Sequence, residues 1–510
     1  MGESRVKKSA QNMVAGFSYQ ALTLILSFIS RTVFIHTLGK EYLGLNGIFG
    51  DVLMLLSMAD LGFSTAMAYS FYKPLAEKDE DRITGLIVFY KKVYNIIAVV
   101  VLILGLCCIP FLKYIVKTEQ EIPDLTIYYL FSLANVVMSY LFVYKTTLLT
   151  ADQKNYLVVK INMWTNTLKT ILQIIVLYIA CNYIAYLAIG VIFQFAGNYL
   201  ASKKTEKEYP YIKNIKNSVA IDKNVQNEII SNMKSVFIYK ISGTMFSATD
   251  NIIISTIVGT AAVGLYSNYL MLSNKLLLIE QIVFSALTAS IGNIIVKETA
   301  FKRLQIFKAM QSASFIFCGI ISCAFCVMVN DLIYVWLGEE FILSSFTVAA
   351  ITINTYLACV LQPLWIYRDA TGIYMKTKYI MLIGAILNIV LSIILGIVMG
   401  ITGVILASAI ARLSTYFWYE PKLLFKEYFE TGAKEYFIGF LKNVLLVITT
   451  IIVLYIIFLK FSVTGWVTLI IKGAITGIVC CVVFMVCYAK TEGFMVIWEK
   501  AVNIFKKLKK

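Results

Sequence analysis

Histidine and the familiar catalytic motifs are almost absent from this 510-residue sequence, whose single histidine is His36. The phosphate-binding pattern G-x-x-x-x-G-K-[ST] does not occur, because Gly39-Lys40 is followed by Glu41, and neither H-E-x-x-H nor G-x-S-x-G is present. His36 has no second ligand near it in sequence, which favours a helix-end residue over a metal or proton site. We therefore expect no enzyme activity and no bound metal.

A disulfide framework and a nucleic-acid surface are also missing. The ten cysteines lie in or at the edge of apolar segments, which is untypical of a disulfide scaffold. Cys323 and Cys326 form a C-x-x-C pair without a partner histidine or second pair, so we interpret them as small buried hydrophobic residues. The net charge of +16 falls between hydrophobic segments and not on a basic stripe with interleaved aromatics. This distribution argues against a nucleic-acid partner.

Hydrophobic residues are abundant, at 59% of the chain, which is typical of a polytopic membrane protein. Each apolar segment is long enough to cross a bilayer as a helix. We predict an all-α fold with about 14 transmembrane helices, at 13–38, 42–70, 93–116, 124–149, 157–180, 184–202, 234–258, 264–290, 307–329, 345–367, 378–400, 401–420, 440–459 and 465–489.

The positions of lysine and arginine predict the orientation. Most of them fall on the side that also holds both chain ends, and the opposite side has almost none apart from Lys40, Lys113, Lys117 and Lys460. By the positive-inside rule, both termini are cytoplasmic. The connections on the outer side are short, so no outer domain is expected. In the tail after Glu492, apolar residues fall on one helical face and lysines on the rest. This pattern is typical of a helix lying on an anionic leaflet.

An internal repeat divides the chain into two halves of similar design. Polar residues of the first span, such as Gln20, align with a polar stripe in the seventh span that begins at Lys240, and at the same offset Gly39 and Gly44 align with Gly259 and Gly264. We predict an N-lobe over 1–222, a C-lobe over 223–430, and two further spans with a basic tail over 431–510. The polar stripes cannot face lipid, so we expect them to line a shared central cavity.

Charged residues inside the predicted spans are the candidate site residues, because facing them to lipid would cost about 3 kcal/mol each. From span direction, Lys169, Lys275 and Arg412 lie near the midplane. A layer of basic groups with no acid at its level suits an anionic ligand. The alternative for any one charge is a pair that holds helices together. The basic set is Arg31, Lys169, Lys240, Lys275, Arg412 and Lys472, and the acidic set is Asp51, Asp60, Asp250 and Glu280.

Several blocks of the sequence resemble the Wzx-type polysaccharide repeat-unit flippases of the multidrug/oligosaccharidyl-lipid/polysaccharide exporter superfamily. They are SRTVFIHTLGKEYLGLNGIF, LGFSTAMAYSFYKPLAEKDEDRI, TDNIIISTIVGTAAVGLYSNY, SIGN at 290–293, VWLGEEF at 335–341 and INTYL at 353–357. The resemblance implies two six-helix lobes in a bacterial cytoplasmic membrane, with alternating access to a central cavity. It also implies that the last two helices form a groove for a lipid tail.

The resemblance implies transport of undecaprenyl-pyrophosphate-linked oligosaccharide for capsule, O-antigen or exopolysaccharide synthesis. Glycosyltransferases and a polysaccharide polymerase are the expected partners, together with membrane lipid. A cation-coupled multidrug antiporter of the same superfamily is the alternative, although a cationic drug favours an acidic cavity. A membrane-embedded sugar polymerase is disfavoured because no substantial outer loop exists.

Two further hypotheses concern coupling and gating. Asp60 and Glu280 are related by the repeat and are candidates for binding H⁺ or Na⁺, with no other cofactor expected. Lys240 is an equally acceptable neutralising partner of Glu280. Arg31 and Asp250 lie at similar depth with opposite charge, so they could form a salt bridge that closes the outer gate. Alternatively, Arg31 binds the pyrophosphate and Asp250 caps a helix in its own lobe.

Overall fold

The computed structural model describes residues 2–60, 63–118, 122–213, 237–285 and 297–496, with residues 291, 294 and 295 between the last two ranges. These residues form helices and short connections without a β-strand, so the all-α class is confirmed. Nine helices in the described ranges are long and apolar enough to cross a membrane, or eleven if each of two bent pairs is one span. The chain is a polytopic membrane protein, whereas the number of fourteen spans is not confirmed.

The helices group into two compact units, Met1–Gly264 and Leu265–Lys510. The predicted lobe boundaries at 222 and 430 stay a prediction. The first unit contains α1 (Gly2–Leu56), α2 (Phe63–Glu77), α3 (Glu80–Cys108), α4 (Leu125–Tyr140), α5 (Val143–Ala151), α6 (Asn155–Ala180), α7 (Tyr183–Glu208), α8 (237–247) and α9 (Asp250–Ile257).

Helix α10 (Thr260–Ser285) begins in the first unit and continues into the second. The second unit then contains α11 (Ala300–Leu337), α12 (Ser345–Val360), α13 (Gln362–Thr371), α14 (Tyr374–Met399), α15 (Ile401–Ser414), α16 (Tyr416–Tyr428), α17 (Lys434–Ile457) and α18 (Trp466–Tyr488).

Glycine breaks explain part of the difference in span number. The first predicted span and the first half of the second, up to Leu56, fall on one helix, α1, which is interrupted only at Gly39, where φ is 83°. The predicted seventh span is divided between α8 and α9, and the chain turns again at Gly259, where φ is 127°. Glycine adopts these positive φ values at little cost because it has no Cβ atom. Both turns therefore lie at glycines that the internal repeat aligns.

The repeat also governs the helix boundaries. Helices α3 and α11 begin at Glu80 and Ala300, and α4 and α12 begin at Leu125 and Ser345, so both pairs of helix starts share the offset that separates Gly39 from Gly259. Helix α4 bends by 49° into α5, and α12 bends by 41° into α13. The two sequences thus build the same broken span at the same place, which supports the predicted internal duplication.

Candidate functional site

The polar faces of α1 and α6 meet within the first unit. Asn166 on α6 donates a hydrogen bond from Nδ2 to the hydroxyl of Tyr19 on α1, at 2.9 Å. Asn166 belongs to a stripe of polar residues on one face of α6, and Tyr19 lies next to Gln20 of the α1 stripe. The α6 stripe consists of Asn162, Thr165, Asn166, Lys169 and Gln173. This hydrogen bond joins the polar stripe of α6 to α1 beside the stripe of the first span.

Arg31 lies further along this surface, near the start of α7. Its guanidinium interacts electrostatically with Tyr186, and the backbone carbonyl of Tyr186 accepts a hydrogen bond from Nε2 of Gln173 at 2.9 Å. Gln173 belongs to the polar stripe of α6 and is buried. Residues of α1, α6 and α7 therefore converge around Tyr186, a residue that the sequence analysis did not select.

Lys169 lies one helical turn after Asn166 on the same face of α6. It is half-buried, and it makes neither an ion pair nor a hydrogen bond with any residue in the described ranges. A partly desolvated ammonium group without an acid is costly unless a ligand or water supplies the missing contacts. Lys169 is thus the basic residue of the first unit whose surroundings best suit an anionic ligand.

A cluster of aromatic side chains continues from Tyr186, the neighbour of Arg31. The ring of Phe34 packs edge-on against Tyr186 with centroids 5.3 Å apart, and Tyr183 stacks on Tyr186 at 6.0 Å. Tyr42 and Tyr128 extend the cluster, with centroids 5.1 Å and 4.8 Å from that of Tyr183. Phe34, Tyr128 and Tyr183 are buried, and the hydroxyl of Tyr183 donates to Oδ1 of Asn46 at 2.6 Å. The cluster therefore packs α1, α4 and α7 against one another.

A close backbone contact joins the turn after Gly39 to the turn after Gly259. A methyl group on Gly44 would overlap the carbonyl oxygen of Thr260, and a methyl group on Gly264 would overlap the carbonyl oxygen of Lys40. The repeat aligns Lys40 with Thr260 just as it aligns Gly44 with Gly264, so the two contacts are equivalent. The backbone N–H of Thr260 also donates to the Lys117 carbonyl at 2.7 Å.

The acids of this region have polar neighbours. Asp51 lies beside Asn251, which is buried, and its Oδ2 has no hydrogen-bond partner among the described residues. Asp250 is the first residue of α9, and a carboxylate there stabilises the helix dipole. The contact of Asp51 with α9 agrees with a structural role for this acid. The predicted pairing of Arg31 with Asp250 stays a prediction.

Glu280 is a buried acid of the second unit, with 1% of its surface exposed. Its Oε1 accepts a hydrogen bond from Ser314 Oγ at 3.1 Å, and Oε2 has no partner among the described residues. The thiols of Cys318 and Cys359 are also buried, and their sulfurs and the carboxylate lie within 4.8 Å of one another. These groups could ligate a cation, a cluster that the cysteine analysis missed because its members are far apart in sequence.

The remaining predicted residues have different surroundings. Lys275 on α10 is half-buried and has no polar partner in the described part of the chain. Arg412 on α15 forms a hydrogen bond with Tyr416. Lys240 lies on α8 and is half-buried, and the hypothesis that it neutralises Glu280 joins two units and stays a prediction. Asp60 ends a short 3₁₀ helix, and its side chain lies outside the described part.

In three of the ion pairs that connect helices, the basic side chain is largely buried, and sequence reasoning missed the acid in each of them. Lys472, which is awkward in a lipid groove, forms an ion pair with Asp331 at 2.5 Å. Two further pairs are Lys145 with Glu206 at 2.6 Å and Arg368 with Glu420 at 3.1 Å. For Lys472 this favours the alternative that the sequence analysis kept open, a charge held by its neighbour.

Tyr209 lies just beyond α7, and burial changes the pKa of its hydroxyl. Burial, together with a hydrogen bond to Asp152, raises the pKa of Tyr209 well above its ordinary value. Tyr209 therefore stays protonated and donates to Oδ2 of Asp152 at 2.6 Å. The ammonium of Lys154 lies 3.0 Å from the same Asp152 oxygen and 4.9 Å from the Tyr209 ring centre.

Comparison with known proteins identifies the fold. No protein-family model and no curated protein sequence matches the chain. Among solved structures, the lipid II flippase MurJ in an inward closed conformation is 16% identical, with a TM-score of 0.66 over 93% of this chain and 98% of MurJ.

Transporters of the multidrug resistance MATE family are similar as well. An inward-facing MATE transporter of the MOP superfamily is 13% identical, with a TM-score of 0.60 over 80% of this chain and 97% of its own. The Vibrio cholerae MATE transporter VcmN in the bent form is 15% identical, with a TM-score of 0.52 over 82% and 97%. The chain therefore has the fold shared by MOP-superfamily transporters.

Proposed function

We propose that this protein is a flippase that moves undecaprenyl-pyrophosphate-linked oligosaccharide from the cytoplasmic to the outer leaflet of a bacterial cytoplasmic membrane. The termini are cytoplasmic in this proposal. Lys169, Lys240, Lys275, Arg412 and Arg31 bind the pyrophosphate and adjoining sugars, and the lipid chain stays in the bilayer. The product enters the synthesis of a capsule, O-antigen or exopolysaccharide.

The observation that carries the proposal is the partnerless ammonium of Lys169 on the polar surface of α6. Phosphate oxygens would satisfy this group with charge-assisted hydrogen bonds, each worth about 1.5–3 kcal/mol. A cationic drug would be repelled by the same group. Lys275 presents a second ammonium without a polar partner among the described residues, so the basic character is not confined to one repeat.

The extent of the fold similarity also supports a lipid-linked substrate. The MurJ comparison covers 93% of the chain, and the inward-facing MATE comparison covers 80%. The additional part of the chain is about the size of two spans with their connections. In the proposal, the last two spans, α17 and α18, serve the lipid part of the substrate.

A cation-coupled multidrug antiporter is the second candidate, favoured by the similarity to MATE transporters. In either case, Asp60 and Glu280 are the proposed coupling acids for H⁺ or Na⁺. The buried Oε2 of Glu280, which has no partner in the described ranges, supports this role because a proton or cation would neutralise it. Asp60→Asn combined with Glu280→Gln should make transport insensitive to H⁺ and Na⁺ gradients.

The test is flipping of a fluorescent polyprenyl-pyrophosphate-linked oligosaccharide in proteoliposomes, read as protection of the label from an impermeant quencher. Lys169→Met should slow flipping about tenfold or more, because it removes the charge-assisted contact. Lys169→Arg should retain most activity. Lys160→Met is the matched control, since Lys160 is an exposed residue of the same helix.

Two results would contradict the proposal. One is flipping by Lys169→Met at the wild-type rate. The other is wild-type protein that leaves the labelled lipid in place but exchanges a cationic dye for protons, which would assign the chain to the antiporters.

A further inference from the structure

A groove lies between α16 and α17 in the second unit, with a volume of about 670 Å³. Its walls are aromatic and aliphatic, and they include Phe417, Trp418 and Phe437. The rings are held in place by one another: Trp418 lies 4.7 Å from Phe437, and Phe417 lies 4.7 Å from Phe440, between ring centres. A volume of this size accommodates an elongated apolar ligand.

Two lysines are the only charged residues among those that line the groove. Lys422 comes from α16 and Lys434 begins α17, and both are exposed. Neither forms an ion pair with any residue that the structure describes. The acid next to Lys434, Glu435, is instead bound to Lys308 at 3.1 Å. The groove thus combines an apolar wall with two positive charges that lack an acid.

We propose that this groove binds an acidic phospholipid, with an acyl chain along the aromatic wall and the phosphate between Lys422 and Lys434. Trp418 is 47% exposed and Leu441 is 58% exposed, so the groove opens to the hydrocarbon in a membrane. Lysine and aromatic side chains at the end of a span are typical of the headgroup level. The inference rests on the proposed cytoplasmic location of the termini, which places the connection near 421–439 on the cytoplasmic side, but not on flipping.

The substrate's polyprenyl chain is a different occupant, and we do not favour it. A hydrocarbon chain alone would make no use of two ammonium groups at one end of the groove. Anionic lipids, by contrast, are concentrated in the cytoplasmic leaflet, where each basic side chain contributes about 1 kcal/mol of attraction. Removing one lysine should therefore weaken the preference for acidic lipid about fivefold.

Tryptophan quenching tests the proposal, because Trp418 lines the groove. The full-length protein is placed in nanodiscs that contain either brominated phosphatidylglycerol or brominated phosphatidylcholine. The signal of Trp418 is the difference between wild type and Trp418→Phe. We expect brominated phosphatidylglycerol to quench Trp418 at a much lower mole fraction than brominated phosphatidylcholine. Lys422→Gln and Lys434→Gln should each reduce the preference about fivefold.

Lys426→Gln is the matched control, because Lys426 is an exposed lysine of α16 that does not line the groove. It should leave the preference unchanged. Equal quenching by the two lipids, or no quenching by either, would overturn the proposal. Loss of the preference on adding unlabelled polyprenol, which has no phosphate, would assign the groove to the substrate's tail. Lipids retained by the purified protein, identified by native mass spectrometry, provide a second measurement without any substitution.

Discussion

The helices α4–α7 and α12–α15 are two versions of one design, and they differ at one layer. In each set a bent span carries a basic residue on its second half, and that residue pairs with an acid of the fourth helix or its continuation. The pairs are Lys145 with Glu206 and Arg368 with Glu420. Shared features of this kind hold the helices of each set together.

The layer that differs lies in the middle of α6 and α14. These helices begin at Asn155 and Tyr374, and superposing their first residues aligns Lys169 with Asn388 and Gln173 with Ser392. Asn388 is fully buried, and its Oδ1 accepts hydrogen bonds from Ser408 at 3.0 Å and Ser392 at 3.4 Å. The polar groups of the second set therefore satisfy one another.

The first set keeps a charge at this layer. Lys169 has no protein partner in the described residues, and α6 has a mean hydropathy of 1.2 against 2.8 for α14. A self-satisfied layer stabilises packing, whereas a layer with a partnerless cation needs something from outside the protein. In the proposed function, the first set presents a ligand surface at the layer where the second set forms structural contacts.

The largest expected effect is a loss of stability on breaking the charge pair that each set contains. Arg368→Ala should destabilise the protein by about 3–5 kcal/mol, because it leaves the carboxylate of Glu420, whose side chain is 2% exposed, buried without its partner. Lys145→Ala should cost less, because Glu206 also pairs with Lys203 at 2.9 Å. Thermal unfolding in detergent measures both.

Lys376→Ala is the control for this pair of substitutions, because the side chain of Lys376 is 58% exposed in its pair with Glu427. We expect it to cost about 1 kcal/mol or less. If Lys145→Ala lowered the free energy of unfolding more than Arg368→Ala, burial would not determine which pair contributes more to stability. The structural role assigned to the second set would then be wrong.

Sequence reasoning found the features that depend on local pattern. Apolar runs predicted the all-α class. The internal repeat aligned Gly39 with Gly259, and the chain turns at both glycines. Pairs between distant helices could not be found in this way. Nothing near Lys472 in the sequence points to Asp331, and the cluster of Glu280 with Cys318 and Cys359 depends on three helices meeting. Lys169 could be selected because an intramembrane charge is costly wherever it lies.

A smaller effect is expected from substitutions at the close backbone contact between the turns after Gly39 and Gly259. Gly44→Ala and Gly264→Ala each place a methyl group on a backbone carbonyl, of Thr260 and Lys40 respectively, and backbone atoms cannot rotate away. Overpacking of this kind costs about 1–3 kcal/mol. Because the repeat makes the contacts equivalent, the two variants should lose flipping to a similar degree.

Gly50→Ala is the matched control, since the same methyl group at Gly50 meets no atom within 4 Å. It should flip like wild type. A cysteine at Lys117, whose carbonyl binds the N–H of Thr260, should become more reactive toward an impermeant thiol reagent in Gly44→Ala if the substitution opens the outer side. Unchanged reactivity with full flipping would show that the contact takes no part in closure.

The smallest expected effect concerns Arg31 and Asp250, which lie at nearly equivalent positions of the two repeats but carry opposite charges. If they close the outer gate as a salt bridge, the pair biases the closed state by about 1 kcal/mol, because Arg31 is only half-buried and keeps some hydration. Arg31→Asp and Asp250→Arg should each slow flipping, and the double exchange should recover much of the rate. Recovery should be incomplete, because a positive charge at the first residue of α9 opposes the helix dipole.

Asp250→Asn separates the two roles, since it removes the charge but keeps a side-chain oxygen for the helix end. A double mutant no faster than the slower single mutant would exclude the gate pair. It would then assign Arg31 to the substrate surface that it shares with Tyr186, Gln173 and Lys169.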